Sequence, residues 1–490
     1  MSNKAVDTSH KTILKTTSIF GSTHLVRIIL ALISNKFITL FLGPSGLGIL
    51  SLIKSTAEII KSFSDFGLNM VAVREISVTA NKDKKTRQET LFVLQRIALY
   101  TGVLGALICV GMSPFLSIWT FGTTDKFYWF IGLSSYFVIT NLVTYKESIL
   151  QGYRLIKKLV VVNLLGLCFL ALISTALYFL LGIKGIVPVL TLSSITKLII
   201  LHVYTRSFRI CKNSLVYKVL WQKMKPLLAL GVLLSINVIF GRICQYLTKL
   251  GIKNIDGDAL GVGYYEAGMI ILISYLGLVF SAMMVDFYPR LTVIKDDDKN
   301  LRLFVNNQIE TALVLVTPAI LLFYVFDEWI IRLLYTKDFL WVLEILKIGL
   351  LSILVRAVIW PLGYVLLAKG DKKPYFFSEI FGDLMQLTLT LYLYKNYGLE
   401  GIGVAIIISY LFYGVIVGFY ISTKYKFNLY GSAKTILISV LLGGTASLLK
   451  IYSELPYTDI FGIILFFISL GYSLYLLCKK TKILHKFKKL

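Results

Sequence analysis

The sequence predicts an all-α polytopic membrane protein with about fourteen transmembrane helices, arranged as two parallel six-helix lobes around a central cavity plus two C-terminal helices. Two observations support this fold class. Of the 490 residues, 57% are hydrophobic and only 16% are charged, which is far too apolar for an average soluble protein. The apolar residues also fall in runs of about 18 to 30 residues, the length needed to cross a bilayer.

Each predicted span is an apolar run that ends at a charge or at a glycine or proline turn signal. The first run follows a polar start of about fifteen residues and is too long for the apolar region of a signal peptide, so we expect it to stay as a span. In order, the predicted spans are residues 16–42, 48–73, 90–113, 127–152, 159–181, 186–205, 226–250, 260–288, 303–326, 340–367, 375–395, 401–422, 434–450 and 459–478. The connections are short, which leaves little room for a soluble domain.

The basic residues alternate along the chain in the way that the positive-inside rule describes. The formal net charge is +25, and Lys and Arg collect in every second connection. Residues 74–89, for example, carry five of them, whereas the next connection, residues 114–126, carries only Lys126. We therefore expect both termini, including a basic tail at 479–490, to be cytoplasmic, and we do not read the charge as a nucleic-acid footprint.

An internal repeat is indicated by two strings that lie between apolar runs. GIKGI occupies residues 182–186 and GLEGI occupies residues 398–402, at matching places in the order of spans. The recurrence predicts an N-terminal lobe at 1–210 and a C-terminal lobe at 220–425 in the same orientation, with 434–478 as two additional helices. Two parallel lobes of this kind are typical of transporters whose lobes rock about a cavity near the midplane.

A stripe of charge crosses the second predicted span. The stretch LIKSTAEIIKSFSDFG at residues 52–67 carries four charged side chains inside an apolar run: Lys54, Glu58, Lys61 and Asp65. Their spacing places them within roughly 60° of one helical face. Facing lipid they would cost on the order of 10 kcal/mol together, so we expect the face to meet protein or water. The alternative is that Lys54 with Glu58, and Lys61 with Asp65, are i, i+4 ion pairs that satisfy each other inside a helix bundle.

Other charges within the predicted spans extend this pattern. The residues we predict to line a central cavity are Arg27, Lys54, Glu58, Lys61, Asp65, Arg242, Glu266 and Arg356. Arginine binds phosphate oxygens through paired hydrogen bonds and lysine acts as a point charge, so such a cavity suits an anionic ligand such as a diphosphate. For Arg27 and Arg242, structural pairing is the competing interpretation.

Two carboxylates in the eleventh predicted span stand apart from the others. Glu379 and Asp383 are spaced i, i+4, which indicates a proton or cation site coupled to transport. Hydrogen-bonded carboxyls near the cytoplasmic end of the span are an equal alternative. No nucleotide-binding loop, nucleophile motif, paired cysteine spacing or metal-ligand spacing occurs in the sequence, so we expect neither a cofactor nor a metal, and any coupling to draw on an H⁺ or Na⁺ gradient or a product sink.

Three segments resemble the Wzx-type lipid-linked oligosaccharide flippases of bacterial polysaccharide synthesis. These segments are FLGPSGLGILSLIKSTAEIIKSFSDFGLN at 41–69, LGVGYYEAGMIILISYLGLVFSAMMVDFYPRL at 260–291, and the region at 335–380. The resemblance covers most of residues 15–425. It implies membership of the multidrug, oligosaccharidyl-lipid and polysaccharide exporter superfamily, and alternating access around a cationic cavity.

The substrate implied by this resemblance is an undecaprenyl-diphosphate-linked oligosaccharide, an O-antigen or similar unit of lipopolysaccharide biosynthesis, which crosses the bacterial inner membrane towards the periplasm. A polysaccharide polymerase and a chain-length regulator are implied partners. On this hypothesis the diphosphate is held by the cationic residues Arg27, Lys54, Lys61, Arg242 and Arg356, while Glu58, Asp65 and Glu266 tune the field and accept sugar hydroxyls.

Alternatives remain within the same superfamily. Many family members have twelve spans and the related lipid II flippases have fourteen, which keeps lipid II as an alternative substrate. An ion-coupled drug or metabolite exporter would share the architecture, with a more apolar and acidic cavity. A polymerase or ligase would typically carry a large periplasmic loop, and no predicted connection is long enough, so we expect a transporter and not an enzyme.

Overall fold

The computed structural model describes the backbone outside residues 1, 209–216, 452–457 and 488–490, and side chains outside 1–28, 209–220, 233–234, 285, 452–459, 477 and 479–490. Every regular element in this part of the chain is helical. The helices are α1 Ser2–Asp65, α2 Leu68–Thr79, α3 Lys84–Gly111, α4 Ser113–Phe121, α5 Phe127–Gly152, α6 Ile156–Leu181, α7 Ile186–Thr205, α8 Tyr217–Asp256, α9 Leu260–Met269, α10 Leu278–Val293, α11 Asp298–Val325, α12 Asp327–Leu334, α13 Val342–Gly349, α14 Leu351–Lys369, α15 Lys372–Tyr425, α16 Ala433–Ile451 and α17 Thr458–Phe487. Short 3₁₀ turns occupy Gly182–Gly185 and Lys337–Phe339, and a π-helix occupies Ile270–Tyr275.

The predicted all-helical membrane fold is confirmed. Within the described residues nine helical segments are long and apolar enough to cross a membrane, or ten with the bent pair Trp221–Val232 and Ser235–Asp256 counted as one span. Three of the nine cover two predicted spans each, the longest being Lys372–Tyr425 with 54 residues, about 80 Å at 1.5 Å per residue against a hydrocarbon core of about 30 Å. The count of fourteen stays a prediction.

Single glycines mark the places where the sequence predicted one span to end and the next to begin. Gly43 interrupts α1 with φ 62°, and Gly398 interrupts α15 with φ 60°. Gly182, between α6 and α7, has φ 53° and ψ −132°, close to the φ 60° and ψ −140° of Gly398. The two strings that suggested a repeat thus share a backbone conformation that glycine adopts without strain. The two-lobe domain boundaries themselves stay a prediction.

Two helices lie where the sequence analysis predicted connections. In α4, Pro114 occupies the first turn, where its missing N–H leaves no intrahelical bond unmade. In α12, Asp327 and Glu328 lie in the first turn, and Arg332 forms an ion pair with Glu328 at 3.3 Å. Both segments were too short to be predicted from hydropathy, because only the neighbouring helices provide the surface on which their apolar residues pack.

The helix α8 also extends further than its predicted span. The predicted span ends at residue 250, but Lys253 is still in the helix and only 8% exposed, and Lys249 just before the predicted end is 9% exposed. A long lysine stem packs well against apolar neighbours while its ammonium finds a polar partner. The span predicted from hydropathy therefore ends before the helix does.

The described chain divides into two compact units, and the first comprises Met1–Ile243. Within it, α5 packs against α2, α3 and α7, and α1 packs against α3 and α6. Leu94, Tyr145 and Ile149 are buried together in one core cluster. The Asn141 amide of α5 donates to Thr101 Oγ1 of α3 at 3.0 Å. The helix α5 is therefore the element against which polar residues of several neighbours are arranged.

The second unit comprises Cys244–Leu490. Within it α15 packs against α13 and α14, and α11 packs against α14, α16 and α17. Asn306 of α11 donates to the Asn428 carbonyl at 3.0 Å and accepts from Ser432 Oγ at 2.8 Å. Lys450 and Asp327 form an ion pair at 3.1 Å. These contacts tie the two additional C-terminal helices to α11.

A carboxylate between α14 and α15 joins the two ends of the long helix α15. Asp371 accepts from Lys424 Nζ at 2.7 Å, from Tyr420 OH at 3.1 Å, and from Tyr425 OH. Partial burial acts to raise the pKa of Asp371, but these hydrogen bonds outweigh it and hold the pKa below the usual 3.8. The stabilisation is therefore present above about pH 4 and is lost as the pH falls through the lower folded-state pKa.

We expect Asp371→Asn to lower stability at pH 7 by about 1–3 kcal/mol, because the charged acceptor of three donors is removed. The thermal unfolding midpoint of the detergent-solubilised chain measures this at pH 7 and at pH 3.5, where the difference between the variant and the parent should be smaller. Asp286→Asn, at a carboxylate that is 67% exposed, is the control. An equal gap between Asp371→Asn and parent at both pH values would contradict the assignment.

Candidate functional site

The first unit gathers charged side chains near the C-terminal end of α1. Lys61 Nζ donates to Thr144 Oγ1 of α5 at 3.1 Å, and Asp65 accepts from the Gly67 backbone N–H at 3.0 Å. Each of these two side chains therefore has a partner other than the opposite charge on its own helix. Both are partly buried, whereas Glu58, one turn before Lys61, and Lys54, two turns before it, are exposed.

Arg242 of α8 joins this cluster. Its Nη1 donates to Ser62 Oγ and, at 3.3 Å, to the Glu58 backbone carbonyl. Two neutral acceptors do not neutralise a guanidinium, so the positive charge stays available in a partly buried position. Arg242 is thus both a tie between α8 and α1 and a cation placed beside Lys61.

The sequence analysis missed two further members of the cluster. Glu147 of α5 and Lys197 of α7 form an ion pair at 2.7 Å, and both lie within electrostatic range of Lys61. The signal available in the sequence was that both are charged residues inside predicted spans. Counted with Lys61, the charged side chains within its electrostatic range give this cluster a formal charge of +1: Lys61, Lys197, Arg242, Asp65 and Glu147. The exposed side chain of Glu58 is not part of this count.

The turn that ends α1 is fixed by an unusually close backbone approach. Phe66 and Gly67 adopt positive φ angles of 47° and 65° between α1 and α2. A Cβ on Gly231 of α8 would lie 1.7 Å from the Phe66 carbonyl oxygen. Next to Gly231, α8 bends by 54° between Val232 and Ser235. The turn after the charged cluster therefore packs on the bend of α8, and only glycine fits there.

Of the predicted site residues in the first unit, Glu58, Lys61, Asp65 and Arg242 are thus close together. Lys54 lies further along α1 and is exposed. The side chain of Arg27 lies outside the described residues. The role of all six in substrate binding stays a prediction.

The second unit contains a cavity of about 550 Å³. Four predicted residues line it, namely Glu266, Arg356, Glu379 and Asp383. Part of the wall is the π-helix Ile270–Tyr275, where Leu276 N–H reaches the Ile271 carbonyl at 3.0 Å. Such irregular helical turns recur at functional sites, because the extra residue turns side chains away from the ordinary helical register.

The charged groups of this cavity are partnered to different degrees. Glu266 forms an ion pair with Lys249 at 2.8 Å, a partner that the sequence analysis did not predict. Glu379 Oε1 accepts from Tyr413 OH at 2.7 Å. The Arg356 guanidinium lies over the Phe280 ring at 5.1 Å, and its buried Nη1 has no hydrogen-bond partner among the described residues.

The charge balance differs from that of the first unit. The cavity is lined by two cations and three carboxylates, a formal charge of −1: Lys249, Arg356, Glu266, Glu379 and Asp383. No group of three or more His, Cys, Asp or Glu side chains suited to a metal ion occurs in the described part of the chain. The cavity chemistry is that of hydroxyl, amide and carboxylate groups between aromatic rings.

A family model for polysaccharide biosynthesis proteins matches residues 13–295, more than half of the chain. The chain belongs to this polysaccharide biosynthesis protein family. No curated protein matches the sequence. The matched region includes the charged cluster of the first unit and, in the second, the helices that carry Lys249 and Glu266.

Solved structures show which fold this polysaccharide biosynthesis protein has. An inward-facing multidrug resistance MATE family transporter of the MOP superfamily superposes with a TM-score of 0.69 at 14% identity, over 81% of this chain and 94% of that one. The lipid II flippase MurJ, in an inward closed conformation, superposes with a TM-score of 0.69 at 14% identity, over 96% of this chain and 99% of that one. The fold is therefore that of MOP-superfamily transporters.

A third likeness concerns a protein with different pocket chemistry. A MOP-superfamily transporter from Pyrococcus furiosus superposes with a TM-score of 0.58 at 11% identity, over 82% of this chain and 93% of that one. The reverse polarity of that protein's binding pocket suggests a different function for it. Pocket charge is therefore the property to compare within this fold.

Proposed function

We propose that this protein is a flippase that moves an undecaprenyl-diphosphate-linked oligosaccharide repeat unit, an O-antigen or similar polysaccharide unit, from the cytoplasmic to the periplasmic leaflet by alternating access. The observation that carries the proposal is the cationic cluster of the first unit within a polysaccharide biosynthesis protein. Family membership points to a saccharide pathway, and the transporter fold points to movement across the membrane.

The physical problem that such a protein solves is desolvation. A diphosphate crossing about 30 Å of hydrocarbon would lose its hydration without compensation. Lys61 and Arg242 supply ammonium and guanidinium donors at partly buried positions, where a phosphate interaction is stronger than at a water-exposed surface. Arg27 and Lys54 are proposed as further cations on the path, and the prenyl tail stays in lipid.

The experiment is the leaflet distribution of undecaprenyl-linked oligosaccharide in spheroplasts, read with a membrane-impermeant probe. On depletion of the protein, complete repeat units should accumulate on the cytoplasmic face. An unchanged distribution in a strain without a second flippase would refute the proposal. The same cells test the proposed placement in the bacterial inner membrane with both termini cytoplasmic, by tagging each terminus.

Ion coupling is proposed for the carboxylates of α15. Asp383 lies one turn from Glu379 and accepts no hydrogen bond from the described residues, while Glu379 already accepts from Tyr413. A cation or proton at Asp383 gains a charge-assisted contact of about 1.5–3 kcal/mol. We expect Asp383→Asn to reduce gradient-driven transport at least about tenfold.

Inverted vesicles with an imposed pH or sodium gradient measure this effect. Transport without a gradient should change less in Asp383→Asn than gradient-driven transport, because no contact with the substrate is assigned to Asp383 itself. Glu328→Gln, at a side chain that is 62% exposed, is the control. If the variant keeps its full response to both gradients, Asp383 is not the coupling site.

A second candidate function rests on the acidic excess in the cavity of the second unit. A multidrug resistance transporter has the same fold, and three carboxylates against two cations suit a cationic substrate. Lipid II remains an alternative substrate. Transport of ethidium instead of the lipid-linked oligosaccharide by purified protein would favour the exporter. Transport of lipid II would favour a lipid II flippase.

A polymerase and a chain-length regulator are proposed partners.

A further inference from the structure

Three residues that line the cavity of the second unit each carry a buried polar atom without a hydrogen-bond partner among the described residues. These atoms are Ser352 Oγ, Arg356 Nη1 and Ser409 Oγ. Ser352 is 0% exposed and Ser409 is 3% exposed. Helical hydroxyls commonly bond to the carbonyl four residues back, as Thr248 does in the same cavity at 2.9 Å. The two serines instead keep their hydroxyls for another partner, because an unpaired buried hydroxyl is costly.

An aromatic platform lies next to these atoms. Trp360, one turn after Arg356 on α14, also lines the cavity. Its ring centroid lies 5.3 Å from that of Phe287, 5.5 Å from Tyr364 and 5.9 Å from Phe280. Phe280 also carries the Arg356 guanidinium. The indole and the guanidinium are therefore held in place by the same ring, which pre-organises both for a ligand.

The charge and size of the cavity restrict what that ligand is. Its formal charge of −1, with Lys249 already paired to Glu266, makes it a poor site for a diphosphate. Its volume of about 550 Å³ falls in the usual range of roughly 300–1,000 Å³ for small-molecule sites. Hydroxyls that both donate and accept, next to an indole surface, match a ring that has hydroxyls at its edge and C–H groups on its face.

We propose that this cavity binds a sugar ring of the transported oligosaccharide, with the ring against Trp360 and its hydroxyls bonded to Ser352, Arg356 and Ser409. This inference rests on the proposed function, because it takes the oligosaccharide as the substrate. It assigns Arg356 to the sugar and leaves the diphosphate to the cluster of the first unit. Specificity for the repeat unit then depends on the residues of this cavity.

The test uses the full chain in lipid nanodiscs and a probe without lipid or phosphate. Mild acid releases the oligosaccharide from the prenyl diphosphate extracted from the strain that carries this protein, and retention at millimolar concentration is measured by mass spectrometry. We expect retention by the parent protein, a loss of affinity of about thirty-fold in Trp360→Leu, and of about three- to tenfold in Ser409→Ala.

A matched control separates the site from general damage. Trp341→Leu removes a tryptophan that is 63% exposed, so this variant should retain the free oligosaccharide like the parent. If Trp360→Leu does not fold, Ser409→Ala and Arg356→Gln carry the test. Parent-like retention by these variants, or no retention by the parent, overturns the proposal.

A parallel measurement separates this inference from the proposed function. The intact prenyl-diphosphate-linked oligosaccharide is tested for transport in proteoliposomes. Transport of the intact lipid without retention of the free oligosaccharide refutes the sugar site alone. Retention of ethidium but neither retention nor transport of the saccharide refutes both, since the cavity is then a site for organic cations.

Discussion

Replacement of Arg242 by alanine is expected to reduce transport of the lipid-linked oligosaccharide at least about 30-fold, because truncating a partly buried charge that meets a phosphate costs about 2–5 kcal/mol. Arg242 donates to Ser62 Oγ and to the Glu58 carbonyl, and neither acceptor neutralises its charge. The measurement is the rate of transport in proteoliposomes that contain equal amounts of folded protein.

Two further variants test whether Arg242 acts on substrate or only ties α8 to α1. Ser62→Ala removes one acceptor and keeps the guanidinium, so a substrate role predicts only a small loss of transport. A structural role predicts that Ser62→Ala approaches the effect of Arg242→Ala and that both lower the unfolding temperature. Arg74→Ala, at an arginine that is 59% exposed, is the matched control. Parent-like transport by Arg242→Ala would remove this residue from the site.

Substitution of Gly231 by alanine is expected to destabilise the protein by about 1–3 kcal/mol or more and to abolish most transport. The new Cβ would lie 1.7 Å from the Phe66 carbonyl oxygen and 3.2 Å from Val71 Cγ2. The nearest of these atoms is backbone, which cannot rotate away like a side chain, so the turn at Phe66–Gly67 and the bend of α8 must separate. Asp65, which caps this turn, would move with it.

The unfolding midpoint and the transport rate are measured together for this variant. Gly111→Ala is the control, since nothing lies within 4 Å of the Cβ it would add, and alanine there should leave both values unchanged. Gly231→Val should be worse than Gly231→Ala because it adds two more methyl groups at the same contact. A Gly231→Ala protein as stable as the parent would show that the close approach does not exist in the membrane.

Individual predicted residues show how far sequence reasoning reaches towards a site. The spacing of Lys61 and Asp65 placed both on one helical face of α1, and they are indeed near one another. Their partners could not be predicted, because Thr144 lies 83 residues from Lys61 in the chain. The same holds for Glu147 with Lys197 and for Lys249 with Glu266, since an ion pair between helices depends on which helices pack together.

The positions of the spans were available from the sequence. Residues 127–152 and 186–205 are helices α5 and α7 at the predicted bounds, because an apolar run ended by glycine, proline or charge is a local property that the bilayer selects by length. The glycines at 43 and 398 also mark predicted ends, since only glycine takes their backbone angles without strain.

What the sequence determined, then, was a helical membrane protein, most of its spans and the charged residues that cannot face lipid. Only the tertiary structure decided that Lys249 pairs with Glu266, that Gly231 meets the turn at Phe66, and that Ser352 and Ser409 line one cavity. Hydropathy and helical period act over one or a few turns, whereas these contacts join residues far apart in the chain and depend on how closely each pair of helices packs.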